Sequence, residues 1–360
     1  MSHSAVTVAA GEIAAPPTVS FQDRRRTADR VFRGALLFNV WLTVFWVFML
    51  WTGRGTALYP NYKPTVRGLG EILGFILFFY VVWGFIWYGV KALLLRYLVG
   101  LSKDERRAVF ASRMDTPFDV AALVARYSER RIRIVDMIGR RGRFITLAAL
   151  GFAILYTNLA RDPSPNFVRG FTSDNLFSSV VIGWVFLSFY YANNVVAAAM
   201  YGPQSRVMDG VLARANNLLI TTLWAAFTFL MVPLSGPLSK LFQPSEFAAV
   251  FAMIWGSYIA CDAMAEIGGS LLGKQRIRVF GIGDVNRKSV AGAVCGFAAA
   301  LMFCVWVVSR HALPSEWLAL SLVIAASNTM LELWSPRGTD DFTMATANAL
   351  ICWAFGVLRA

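Results

Sequence analysis

The stretch FAAVFAMIWGSYIACDAMAEIGGSLLGK, residues 247–274, decides the fold. From Phe247 to Ala260 it carries no charge, and the whole run is long enough to cross a bilayer, which takes about 20 helical residues. It nevertheless holds Asp262 and Glu266, then loosens into Gly268, Gly269 and Gly273 and ends on Lys274. A charged carboxylate near mid-bilayer costs about 2.5–3.5 kcal/mol even on lenient scales. Asp262 and Glu266 are four residues apart and so share one helix face. Two acids on one face suit a divalent cation with oxygen ligands, Mg²⁺ above all.

The rest of the chain repeats the apolar pattern. Of 360 residues, 57% are hydrophobic and only 15% charged, with a mean hydropathy of +0.55. A soluble domain is about 25% charged, so the expected fold class is all-α: a polytopic integral membrane helical bundle. Nine spans are expected, at about 34–52, 71–95, 144–160, 175–201, 215–233, 247–270, 289–309, 316–334 and 342–358. The net charge of +13 would point to nucleic acid in a soluble protein. Here the basic residues sort by side. With the N-terminus inside, 25 of the 34 Lys and Arg fall in cytoplasmic segments and eight outside. No nucleic-acid partner is expected. Arg outnumbers Lys 28 to 6, a bias expected of a GC-rich bacterial genome, so the expected location is a bacterial cytoplasmic membrane.

Three regions follow from this partition. Residues 1–33 form a basic N-terminal segment expected to be disordered, with no secretory signal. Residues 34–143 hold two spans and a long basic insert. In that insert Val120, Leu123, Val124 and Tyr127 recur at helical spacing among Arg126, Arg130, Arg131 and Arg133, which fits either an amphipathic helix on the inner leaflet or a solvated loop. Residues 144–360 are expected to form the membrane catalytic domain, with its motifs at 261–292 and 332–346. Cysteine and histidine argue against a zinc or Cys–His site, because Cys261, Cys295, Cys304 and Cys352 are dispersed in apolar spans and only His3 and His311 exist.

A second polar segment, ELWSPRGTDD at 332–341, opens on the same side as the first. Pro336 disfavours helix at Ser335, so the eighth span should end near Trp334 with Glu332 in its last turn. Asp340 and Asp341 then open the ninth span. One Asp suffices as a cap, so two with Glu332 nearby suggest completion of a metal set of Asp262, Glu266, Glu332, Asp340 and Asp341. Between the segments, Lys288 and Ser289 precede a helix start, an arrangement that favours phosphate. Arg337 can reach a phosphate across the turn. Gly268-x₄-Gly273-Lys274 imitates a P-loop, but Gln275 replaces the Ser or Thr and the preceding element is a helix rather than a strand.

CDAMAEIGGSLLGK, NRKSVAGAVCGF and ELWSPRGTDDFTMATANAL together resemble the dolichol kinase and phytol kinase family of CTP-dependent membrane kinases, related to phosphatidate cytidylyltransferases. The resemblance covers about residues 250–350. Asp262, Ala265, Gly269, Gly273 and Lys274 fit its first motif; Lys288, Ser289 and Gly292 its second; Glu332, Asp340 and Thr343 its third. Cys261, Asp341, Phe342 and Ala345 depart from it. It implies Mg²⁺-dependent transfer from CTP to a lipid alcohol at the cytoplasmic face. Asp262 and Asp340 would be catalytic, and Gly269, Gly273, Lys274, Lys288, Ser289 and Arg337 would hold the nucleotide. Alternatives from the residues are cytidylyl transfer to a phospholipid, a cation- or proton-coupled transporter, and a non-catalytic scaffold.

Overall fold

The computed structural model describes residues 20–51, 70, 73–74, 78–111, 120–161, 165–279, 286–335 and 338–360. Among the described residues the regular structure is helical except for one short hairpin. In chain order the helices are α1 (Phe21–Trp51), α2 (Trp83–Leu94), α3 (Lys103–Ala111), α4 (Val120–Arg126), α5 (Glu129–Arg161), α6 (Pro165–Phe189), α7 (Val195–Tyr201), α8 (Ala213–Leu241), α9 (Pro244–Leu272), α10 (Val290–Arg310), α11 (Glu316–Trp334) and α12 (Asp340–Arg359). The strands β1 (Arg276–Val279) and β2 (Asn286–Ser289) pair antiparallel between α9 and α10, with Ile277 opposite Lys288.

Among the described residues, five helices have a stretch long and apolar enough to cross a membrane: α1, α9, α10, α11 and α12. They differ in what covers them. On α1, α10, α11 and α12 less than half of the apolar stretch is buried, and large apolar side chains such as Leu37, Val44, Met302, Leu322 and Leu358 face outward. In water such a surface would be untenable; facing lipid it is the expected one. On α9, by contrast, 78% of the stretch is buried within the protein. It packs against α5, α8, α10, α11 and α12, and it forms the axis of the main apolar core with Phe251, Ile254, Val307, Trp317 and Ile324.

Capping and glycine explain the local geometry of this central unit. Pro244 occupies the first turn of α9, and Gln243 with Glu246 makes a reciprocal capping box. Between α9 and α10 the contact is closest where both chains are small. A Cβ on Gly292 would lie 2.6 Å from the Ala265 carbonyl oxygen, and one on Gly296 would lie 3.0 Å from that of Cys261. Gly292 and Gly296 thus form a small-xxx-small stripe of the kind that lets membrane helices approach. Gly338, at φ +82°, makes the left-handed step in the turn before α12.

Four expectations change. Residues 21–33 are helical, because Ser20 accepts the Asp23 amide and starts α1; the basic cluster rides on that helix, while residues 1–19 lie outside the described set. The helix over the segment expected as the third span begins well before 144, since α5 runs from Glu129 and carries Arg140, Arg141 and Arg143 as part of one helix. The segment 175–201 is interrupted at 190–194, where Asn194 leaves the helix and accepts the Ala197 amide as the cap of α7. Finally, the insert's apolar stripe does not lie on lipid: Leu123 is buried with Leu95, Val99 and Ile132, and Val124 and Tyr127 pack against the same cluster. The stripe is satisfied by the chain's own core.

Candidate functional site

The site is built at one end of the central unit, where the C-terminal parts of α9 and α11 meet the N-termini of α10 and α12. Asp262 lies ten residues before the end of α9 and Glu266 six, about 15 and 9 Å along the axis. Glu332 is in the last turn of α11, and Asp340 and Asp341 open α12, as the sequence predicted. One carboxylate oxygen from each of Asp262, Glu332 and Asp340 lies within 4.8 Å of the other two. Asp341 is close enough to interact electrostatically with both Asp262 and Asp340. Glu332 Oε2 and Asp341 Oδ1 are buried without a hydrogen-bond partner among the described residues. Orphaned buried carboxylate oxygens are costly, and a hard cation is the partner they suit. The donor chemistry therefore fits Mg²⁺ at Asp262, Glu332, Asp340 and Asp341.

Glu266 is placed differently. Its Oε1 accepts from Arg140 Nη1 at 2.7 Å and from Arg206 Nη2 at 3.2 Å, and its Oε2 accepts from Arg141 Nε. Arg141 continues to Asp262, gripping both carboxylate oxygens through Nη1 and Nη2. Among the described residues Glu266 thus faces guanidinium groups alone, while Asp262, held by Arg141, also lies beside Glu332 and Asp340.

Lys288 closes the opposite side. Its ammonium donates to the Glu332 main-chain carbonyl, lies 2.6 Å from Glu332 Oε1 and 3.5 Å from Asp340 Oδ2. Burial alone would depress this ammonium, but Glu332 and then Asp340 outweigh it and hold Lys288 above the ordinary lysine range. The hairpin presents the side chain here, since Lys288 is the penultimate residue of β2 and the next residue caps α10.

Of the other expected nucleotide ligands, Ser289, Gly269 and Gly273 are packed together. Ser289 is buried and its hydroxyl accepts the Gly292 amide at 3.1 Å as the cap of α10. Gly269 and Gly273 pack on that same hydroxyl, at 3.0 and 2.7 Å from where a Cβ would stand, so their close backbone approach is to Ser289. Lys274 is exposed just beyond α9 and makes no ion pair among the described residues. Arg337 lies outside the described residues. Thr343 shares a 2.5 Å hydrogen bond with Ser335, tying the turn to α12.

The arginines were missed because GRRGR at 139–143 looks like inside-loop charge. The signal was its glycines. A Cβ on Gly139 would meet the Lys91 side chain and the Pro203 carbonyl, and one on Gly142 would strike Trp87. A solvated loop needs no such small residues. Lys91 itself is buried, paired with Asp136 at 2.9 Å, and donates to the Gly202 and Ser205 carbonyls; Asp136 accepts the Val207 amide at 2.7 Å. This pair fastens the loop bearing Arg206 onto α5, one turn before Arg140. Comparison with protein families, curated proteins and solved structures finds no match to the chain.

Proposed function

We propose that the protein is an integral membrane phosphotransferase that moves the γ-phosphoryl group of a nucleoside triphosphate to the hydroxyl of a membrane lipid alcohol. The motif resemblance names CTP as donor and a polyprenol or related isoprenoid alcohol as acceptor. The observation that carries the proposal is the convergence of Asp262, Glu332 and Asp340 within 4.8 Å, bordered by Lys288 and three arginines, at one end of an apolar bundle. Nine spans with the N-terminus and this end in the cytoplasm fit the charge asymmetry.

Mg²⁺ held by Asp262, Glu332, Asp340 and Asp341 would neutralise phosphate oxygens as charge develops. The chain's own groups do the rest. Asp262 is gripped twice by Arg141 and is poorly placed to take a proton. Asp340 is more open and touches Lys288 only at 3.5 Å, so Asp340 accepts the lipid hydroxyl proton. The hydroxyl oxygen then bonds the γ-phosphorus, the bond to the β-phosphate oxygen breaks, and CDP leaves with that electron pair. Exposed apolar side chains ring this end of the bundle, among them Leu272, Val290, Val294, Met330 and Trp334. They would seat it at the lipid boundary, where an alcohol headgroup arrives laterally.

Transport is the rival from another class. Beyond the acids, Asn328 and Asn348 both donate to Ser257 Oγ, at 3.1 and 3.0 Å. Past this trio the core is Ile324, Trp317, Cys304 and Cys352, all fully buried. A polar path that stops after one step favours local chemistry over conduction.

Purified protein with Mg²⁺ and membrane lipid, given CTP labelled at the α or the γ phosphate, should place γ label in lipid. α label in lipid would show cytidylyl transfer instead. No transfer from any nucleotide across a broad lipid panel would reject both. Asp340→Asn and Asp262→Asn should each lower transfer at least a hundredfold, on the order expected for loss of an acid–base or charge-stabilising group. Full activity in folded Asp340→Asn would overturn its assignment.

A further inference from the structure

Formal charge is unevenly shared across the cluster. On one side, Arg140, Arg141 and Arg206 face Glu266 and Asp262, and buried Asp209 is within electrostatic reach of Arg206, so this side has its cations matched. On the other, Lys288 faces Glu332 and Asp340 with Asp341 beside them, leaving two negative charges in surplus. A structural ion-pair network gains little from gathering guanidiniums on one carboxylate while neighbouring acids are left short of cations. A site for a metal–polyphosphate complex requires it.

We propose that Arg140, Arg141 and Arg206 form an anion clamp for a polyphosphate, and that Glu266 is the internal anion occupying it in the free protein. Three guanidiniums converge on one carboxylate, more than pairing alone requires, and a phosphate offers three oxygens to such a fork set. The clamp can open from the Arg206 side. Arg206 is 31% exposed and sits on a loop, whereas Arg141 is 7% exposed. The Lys91–Asp136 pair holds that loop from beneath, so Arg206 moves while its anchor does not. Glu266 is then a competitor of the ligand, not a metal ligand. The substrate class, a nucleoside triphosphate, rests on the phosphoryl-transfer proposal; the clamp itself does not.

The test uses full-length protein in neutral-lipid nanodiscs with divalent metal chelated, titrated with inorganic pyrophosphate by calorimetry. Glu266→Gln keeps shape and an acceptor but loses the competing charge, so pyrophosphate should bind about tenfold tighter than to the wild type. Arg206→Gln, at a partly exposed position that should leave folding intact, should bind it about tenfold more weakly. Adding phosphatidate to the discs separates sources: displacement of pyrophosphate assigns the clamp to a lipid phosphate, and no displacement to a soluble one. Unchanged pyrophosphate affinity in folded Arg206→Gln overturns the clamp, as does an absence of binding in every folded variant. Weakened Mn²⁺ binding in Glu266→Gln with unchanged pyrophosphate affinity would return Glu266 to the metal set. Failure of γ-phosphoryl transfer would leave metal-free pyrophosphate binding standing, so the two proposals fail separately.

Discussion

The Lys288 ammonium lies between the carboxylates of Glu332 and Asp340, each from a different helix. Removing it leaves buried Glu332 and partly buried Asp340 facing each other with their neighbours Asp262 and Asp341. Lys288→Met should therefore cost about 3–5 kcal/mol of stability, the usual effect of breaking one side of a buried pair. Lys288→Met/Glu332→Gln should recover part of that loss, read as a thermal midpoint in detergent. The pH dependence has a definite sign. Because the folded state raises this lysine above its ordinary value of 10.5, its contribution is complete below the unfolded pKa and is lost as pH rises through the folded one. The gap between wild type and Lys288→Met should hold from pH 7 to about 10 and narrow above about 10.5. A gap that narrows toward acid instead would contradict the assignment. At this scale the acids were legible from sequence because a carboxylate in an apolar run stands out by its cost. Arg140, Arg141 and Arg206 were not, because an arginine beside a span is the ordinary expectation on the cytoplasmic side.

Helix α10 meets α9 through Gly292 and Gly296, and that contact sets the distance between Asp262 on one helix and Lys288 at the start of the other. Gly292→Ala would drive a Cβ to 2.6 Å from the Ala265 carbonyl, a backbone atom that cannot turn aside. The helices must separate, with an expected loss of about 1–3 kcal/mol from overpacking. Gly34→Ala on α1 and Gly89→Ala on α2 meet nothing within 4 Å and should be neutral or stabilising by about 0.4–1 kcal/mol. Equal midpoints for Gly292→Ala and Gly34→Ala would refute the packing account. Element by element, the last three helices follow the sequence closely: α11 coincides with the span expected at 316–334, and α12 opens on Asp340. Hydropathy reads an average over a window, and in these helices apolar residues outweigh the few buried polar ones. It fails for α5, whose first turns spend their polar face on partners far away in sequence, and for the break at Tyr190–Asn194, where Asn194 caps α7. The hairpin escaped because alternation over RIRV is only four residues long.

Both ends of the central unit are fastened by charge, and the two ends differ in kind. At the end away from the site, Arg359 at the close of α12 pairs with Glu246 at 3.0 Å and Glu316 at 2.7 Å, the first turns of α9 and α11. That staple is simple, partly exposed and nearly balanced. The site end is deeper and larger, and it carries the orphaned carboxylate oxygens of Glu332 and Asp341. Alternation of α9, α10, α11 and α12 fixes the two ends on opposite sides of any membrane these helices cross. Under the proposed orientation, Lys274 faces the cytoplasm and Ser315, in the exposed link between α10 and α11, faces outward. In intact cells a membrane-impermeant maleimide should label Ser315→Cys and leave Lys274→Cys unlabelled until the membrane is permeabilised. The native background serves as control, since Cys261, Cys304 and Cys352 are buried and Cys295 is only partly accessible. The reverse pattern would place the carboxylate cluster outside, away from cytoplasmic nucleotide, and would sink the kinase proposal whatever the geometry of its acids. Labelling of both variants from one side would mean that α10 does not cross.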